Sequence, residues 1–442
     1  MRNTTKTAAV IAAMAAIALA AGGSLDPTFG SGGVAWIDGG SVPLYMGEIA
    51  VQADGKIVAG GRRGTGAVNS AGQSVSEWVV RRLDAAGGLD AGFGTGGLVR
   101  LFGIDGGDTL YDLDLDPSGR IVATGNRTIK SGKGRKVKFT QYAVLVRWNA
   151  NGSLDTSFGA GGVVQVSIPG TIGSVAKNVL LQPDGRLVIV GEAEYDVQVR
   201  PPGGSTLNLR QPFAARCLGN GSLDASFGSG GISVDTRVSD RPTGVWAAAL
   251  QSTGHIVVGD RRFTPDLWVL TRFHANGAVD TGFGPPSAPD SLFGVAVDRF
   301  DRIVATGRTA SPAAARVRRY LADGSADASF GISGVVTVDS YTQEITFSSL
   351  EFQPDDRIVF GLSVATVFPN GTYAATTVRL NDDGSLDSTY GTGGHGTLID
   401  MGENNPTFGH NMDIAPDGRI VLAGPGGGVQ GGQWFFARYD AD

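Results

Sequence analysis

The most regular charged pattern in the chain is an arginine followed eight residues later by an aspartate: Arg82/Asp90, Arg147/Asp155, Arg216/Asp224, Arg272/Asp280, Arg319/Asp327 and Arg379/Asp387. Each arginine shares a strand face with apolar residues such as Trp78 and Val80, so its half-buried guanidinium needs a partner. The aspartate is the expected partner, and the same logic pairs Arg438 with Asp26 across the two ends of the chain. Such carboxylates could also ligate calcium or act as acids, but equivalent copies at one constant spacing point to a structural role, since catalysis needs asymmetry. One charged segment is asymmetric. Asn126–Gln141 carries Arg127, Lys130, Lys133, Arg135, Lys136 and Lys138 with no acid. In a chain of net charge −6 this is a local positive patch that suits an anionic partner: an acidic polysaccharide, an envelope component or an acidic protein surface. The plainer reading is a solvated loop.

Other chemistries find little support. His255, His274, His395 and His410 show no metal-ligand spacing, and Cys217 is the single cysteine, so no metal and no cofactor is expected. His255 occupies a slot that holds lysine or arginine in the other repeats. Cys217 aligns with Leu83, Trp148, Phe273, Tyr320, Leu380 and Tyr439, an apolar or aromatic slot, which predicts a buried, inert thiol. There is no Gly-x-Ser-x-Gly elbow, no EF-hand loop and no Gly-Gly-x-Gly-x-Asp array. The acidic balance and sparse aromatic interleaving argue against a nucleic-acid partner.

The elements that must position these residues are written as a repeat. Leu-Asp-x-x-Phe-Gly begins at Leu25, Leu89, Leu154 and Leu223, with variants at Val279, Ala326 and Leu386. About 30 residues later comes a turn followed by Ile-Val, as in ADGKIV and PDGRIV. Each unit reads as four short strands, in the first unit Glu48–Gln52, Lys56–Gly61, Trp78–Leu83 and Leu98–Phe102, with Asp54-Gly55 as a two-residue type I′ hairpin turn. Seven such units predict an all-β, seven-bladed β-propeller of four-stranded antiparallel blades. The chain ends partway through a unit at Arg438-Tyr439, and SLDPTFGSGGVAWID supplies the missing part, so the N-terminal strand Val34–Asp38 is expected to complete the last blade and remove exposed edges. Between Phe283 and Val304 only 21 residues intervene, against 29 to 31 elsewhere, and Pro285, Pro286 and Pro289 cannot donate to a ladder. The fourth blade is therefore expected to lack a proper outer strand.

Residues 1–21 read as a secretory signal peptide: Arg2 and Lys6, an apolar run from Ala8 to Leu19, then Ala18-Leu19-Ala20. Residues 22–442 form a single propeller domain, and the run is too short for a transmembrane anchor. Segments Arg62–Glu77, Asn126–Gln141 and Glu192–Gln211 read as long loops on one face, where binding usually resides. The repeat resembles the delta-60 repeat family of bacterial propellers, whose motif pair recurs here over residues 23–442. That resemblance implies an exported, periplasmic or extracellular protein and brings no catalytic residues with it. The function expected is a non-catalytic binding or scaffolding module. The alternative is a polysaccharide lyase or glycosidase with its site at the central channel mouth, signalled by converging carboxylates; Asp105, Asp108, Asp240 and Asp290 are the candidates from the crossovers.

Overall fold

The computed structural model describes residues 22–38, 42–133, 136–199, 207–237, 243–262, 267–285, 290–309, 314–338, 345–365, 372–403, 411–426 and 432–441. The first strand, β1 (Val34–Asp38), is set aside until the ring closes. The first blade is β2 (Leu44–Val51), β3 (Ile57–Val68), β4 (Ser74–Leu83) and β5 (Leu98–Leu101). The second is β6 (Thr109–Leu115), β7 (Ile121–Ser131), β8 (Lys138–Trp148) and β9 (Val163–Val166); the third is β10 (Gly173–Leu181), β11 (Leu187–Val199), β12 (Leu207–Cys217) and β13 (Ile232–Val234). The fourth has three strands among the described residues: β14 (Thr243–Leu250), β15 (Ile256–Arg262) and β16 (Leu267–Phe273). The proline-rich stretch that should have paired outside β16 leaves it as the outermost described strand.

The fifth blade is β17 (Asp290–Val297), β18 (Ile303–Thr309), β19 (Ala315–Tyr320) and β20 (Val335–Val338), and the sixth is β21 (Ile345–Phe352), β22 (Ile358–Ala365), β23 (Thr372–Leu380) and β24 (Ile399–Glu403). The last is β25 (Asn411–Ile414), β26 (Ile420–Gly426) and β27 (Gln433–Tyr439), completed by β1. There β1 runs antiparallel to β27, from Val34 opposite Ala437 to Asp38 opposite Gln433. The molecule is thus a seven-bladed, all-β propeller whose two ends meet in one sheet. The seven apolar cores lie where neighbouring blades face each other; Trp78, Trp148 and Phe93, for example, are buried between the first two. Among the described residues no helix is long and apolar enough to cross a membrane.

Two local readings need correcting. The turn after the inner strand is not type I′. Gln52 N–H bonds Lys56 O at 2.7 Å and Gly55 N–H bonds Gln52 O at 2.8 Å, so Ala53-Asp54-Gly55 is a three-residue loop with only Gly55 left-handed (φ 80°). In the fifth and sixth blades Asp301 (φ 63°) and Asp356 (φ 68°) take that glycine's place, which aspartate tolerates better than most residues. The segments read as long loops are largely strand. β7 and β8 pair out to Ser131 opposite Lys138, β3 and β4 to Val68 opposite Ser74, and β11 and β12 to Val199 opposite Leu207. They are two-stranded arms that outrun their inner strands, because backbone groups at the tip gain partners by continuing the ladder.

Candidate binding site at the channel mouth

The repeated arginine and aspartate build the frame. Arg82 Nη2 lies 2.9 Å from Asp90 Oδ2, and Nε bonds the same oxygen. Arg147–Asp155, Arg216–Asp224, Arg272–Asp280, Arg319–Asp327, Arg379–Asp387 and Arg438–Asp26 repeat this at 2.7–2.9 Å. Each arginine also donates Nη1 to a turn carbonyl of the next blade: Arg82 to Ala150 O at 2.5 Å, Arg147 to Gly219 O at 2.7 Å, and Arg438 to Ala85 O at 2.6 Å. Each guanidinium stacks on the marker aromatic, as Arg438 does on Phe29 at 4.7 Å. The motif is therefore a set of interblade latches that runs around the ring. Burial pushes the Asp26 carboxyl up, but bonds from Thr28, Arg419 and Arg438 outweigh it and bring it down to about 2.

Inside the ring the symmetry breaks. The channel encloses about 960 Å³ and is walled by the inner strands. Its acids come from five consecutive blades, the sixth, seventh, first, second and third: Glu351, Asp413, Glu48, Asp112 and Asp114, then Glu192. The opposite arc presents Leu180, Ala247, Gly294 and Val295. Burial first, then the charges of Asp413, Asp114 and Asp112, raise Glu351 to about 8. Burial, with Asp114 adding, raises Asp112 to about 7. Asp114, exposed to channel solvent, is pushed up to about 6, by desolvation within the channel first and by the charges of Asp413 and Asp116. Glu48 and Asp413 are also raised, chiefly by burial.

Some of these carboxylates have structural work. Inner strands present an unpaired edge to the channel, and Asp112 accepts Val179 N–H at 2.7 Å while Asp413 accepts Val51 N–H at 2.6 Å. Glu48 and Asp114 accept the amide of the following residue, at 2.9 and 2.6 Å. Glu351 receives no hydrogen bond among the described residues, and only charge and burial act on it.

The mouth of this channel, on the face of the arms, carries the opposite chemistry. The inner strands of the first five blades each contain a one-residue bulge, and the unmatched residue is Gly47, Tyr111, Lys177, Trp246 and Phe293 in turn. A bulge re-aims its side chain, and all five line the channel. Lys177 Nζ sits 3.6 Å over the Tyr111 ring, Arg62 stacks 4.2 Å over Tyr45, and Trp246 meets Phe293 edge-on at 5.7 Å. Arg210, Arg261 and Arg308 join the lining, Arg210 lying 3.6 Å from Glu192 and 3.3 Å from Glu194. In the first three blades the residue facing the bulge is a glycine with no room for a side chain, whereas the fourth has Asp260 there. A Cβ on Gly125 would lie 2.0 Å from Thr109 O, and one on Gly191 2.0 Å from Val175 O.

The basic segment sits on the second-blade arm. Lys130, Lys133, Lys136 and Lys138 are exposed, Arg127 stacks 5.0 Å over Phe102, and Arg135 lies outside the described residues. A cleft of about 630 Å³ separates this arm from the third-blade arm, between Lys138 and Phe139 on one side and Glu194 and Asp196 on the other. Two of the crossover acids lie among the described residues, both against the second-blade arm. Asp105 accepts Lys130 N–H at 3.1 Å, and buried Asp108 accepts Thr128 N–H at 2.6 Å. Asp240 and the Asp290 side chain lie outside the described residues, as does the proposed signal peptide at 1–21. Cys217 is fully buried and its thiol is pushed up to about 12 by burial.

The inner-strand acids and bulge residues escaped the sequence reading. Their only signal is an acid in an apolar strand shortly before the turn, as in YDLDLD, SLEFQ and NMDIA.

Four stretches of the chain, residues 52–93, 138–158, 301–330 and 353–390, match a family described as a domain of unknown function (DUF5122) beta-propeller. No curated protein matches the chain. Among solved structures, a protein of unknown function from Dyadobacter fermentans is similar at 13% identity and TM-score 0.45, over 93% of this chain and 100% of that one. A polysaccharide lyase, an ulvan lyase bound to a glucuronate–sulfated rhamnose chain, is similar at 10% identity and TM-score 0.45, over 92% and 95%. Prolyl oligopeptidase B from Galerina marginata is similar at 10% identity and TM-score 0.42, over 86% and 46%. Likeness at this level lends no activity to this chain. The family match itself says propeller: a β-propeller repeat chain, whose own asymmetry lies in its channel and arms.

Proposed function

We propose that this chain is an exported propeller of the delta-60 repeat kind that binds an anionic polysaccharide at its channel mouth. The observation that carries the reading is the set of paired platforms at the mouth, Arg62 on Tyr45, Lys177 beside Tyr111 and Trp246 against Phe293. Aromatic faces take the apolar side of sugar rings, and the neighbouring cations take carboxylate or sulfate groups. The arc of acids deeper in the channel offers such a polymer no cationic partner, so the ligand lies across the mouth instead of threading it. The exposed lysines of the second-blade arm extend the positive surface and steer the chain in, an effect that weakens with salt.

Retention on immobilised polysaccharides tests the ligand class. Sulfated or uronate polymers should retain the wild type, neutral dextran should not, and Trp246→Ala should pass through all of them. Equal passage of the wild type over charged and neutral columns would reject the reading.

A second reading, a lyase or glycosidase, is favoured by one feature. Glu351, with its pKa raised to about 8, stays largely protonated near neutral pH beside Asp112, which is raised to about 7, as a general acid requires. It predicts release of new chain ends from the retained polymer, abolished in Glu351→Gln. Wild-type protein that leaves the polymer intact removes this reading and leaves the binding module.

A further inference from the structure

The fourth blade alone has neither lysine nor arginine in the second charge layer of the latches. In five other blades a basic residue at the start of the second strand reaches the latch aspartate: Lys56 to Asp90 at 3.6 Å, Arg120 to Asp155 at 3.5 Å, Arg186 to Asp224 at 3.3 Å, Arg357 to Asp387 at 3.2 Å and Arg419 to Asp26 at 2.7 Å. In the fifth, Arg302 pairs with Asp298 and Asp382 instead. In the fourth the slot holds His255, and the residue opposite, just past Phe273, is His274. Ile256 pairs with Phe273, so the hairpin of β15 and β16 sets the two imidazoles directly across from each other.

His255 Nε2 is 3.1 Å from His274 Nδ1, and His274 Nε2 is 3.7 Å from Asp280 Oδ1. One ligand atom from each of His255, His274 and Asp280 lies within 4.8 Å of the others. Nitrogens bound at about 2.0–2.1 Å around a tetrahedral zinc stand roughly 3.3 Å apart, so the imidazole pair is already near that separation. His255 Nδ1 is held by Thr253 Oγ1 at 2.7 Å, which orients the ring and leaves Nε2 for a ligand, as outer partners of metal-bound histidines do. Both histidines are half-buried, which leaves access for an ion and for a solvent ligand.

The geometry points to a divalent transition-metal site, of zinc type, built by His255, His274 and Asp280 on the constant-turn face of the fourth blade. Three protein ligands, two imidazoles and a carboxylate, leave the fourth position to water. The bound dication replaces the positive charge that lysine or arginine brings to the latch aspartate in most other blades. It also staples the turn of the blade that lacks a described outer strand. The ligands lie 19 and 6 residues apart along the chain, which hides the site from a reading of spacing.

The test uses tag-free, chelator-treated protein titrated with Co2+ at neutral pH. One equivalent should develop the visible bands of tetrahedral cobalt, and Zn2+ should displace them. His255→Lys, which installs the residue type of the other repeats and so keeps the latch charge, should fold normally by circular dichroism and lose the bands. His274→Ala should lose them too. Wild-type melting temperature should rise with Zn2+ while that of His255→Lys should not. Absence of a stoichiometric cobalt spectrum, or binding that survives in both folded variants, would overturn the site.

Discussion

Glu351 is the residue on which the channel's electrostatics can be read most simply, because it has no hydrogen bond to obscure them. Its pKa is raised from an ordinary glutamate value to about 8. A carboxyl raised in the fold binds more protons there than in the unfolded chain, so stability falls as pH rises through that window. At pH 5 Glu351→Gln should match the wild type; by pH 8 it should melt higher, by on the order of a few degrees. Coincident melting curves across pH 5 to 9 would show that the acid is solvated normally. The latch aspartates titrate with the opposite sign. Asp26 is lowered to about 2, so its contribution is complete above pH 4 and is lost as pH falls toward 2. Arg438→Ala leaves buried Asp26 with Arg419 and Thr28 alone and should cost about 1.5–3 kcal/mol. Thermal melts at pH 7 measure it, and a change below about 1 kcal/mol would mean that the latch is ornamental.

At the scale of the element, the inner-strand bulge converts a repeat into a site. It turns one residue toward the mouth in each of the first five blades, and that residue is free to be Tyr111, Lys177, Trp246 or Phe293. In the second blade Gly125 makes room for it, so Gly125→Ala should push against Thr109 O, destabilise by about 1–3 kcal/mol and weaken retention on the anionic polymer. Unaltered stability and retention would remove the bulge from the account. This scale also marks what could be read beforehand. Whatever recurs seven times was legible, the marker motif and the strand order, and so was the one unit that breaks the repeat, the short fourth. The turn type was misread because Asp-Gly suits both a two-residue and a three-residue hairpin, and the hydrogen bonds that choose between them are not in the composition. The arms were misread as loops because lysine-rich and glycine-rich edge strands lack an apolar face. The channel acids were missed because Glu48, Asp112, Glu351 and Asp413 belong to different repeats and meet only when the ring closes.

For the whole molecule, closure by β1 against β27 and the seven latches fix a rigid frame, and the differences between blades fall on its inner wall and upper face. Acids gather on one arc of the channel, cations and aromatics at the mouth, lysines on the second-blade arm. The central claim is that the polymer docks at the mouth, with the arm as a steering surface. Titration calorimetry with the best-retained anionic oligosaccharide measures this directly, on the wild type, on Arg62→Ala/Lys177→Ala, and on the variant with Lys130, Lys133, Lys136 and Lys138 all changed to alanine. The mouth variant should lose affinity by more than about tenfold, or 1.4 kcal/mol, and the arm variant by less than about threefold at physiological salt. The reverse order, or two variants indistinguishable from the wild type, would contradict the account.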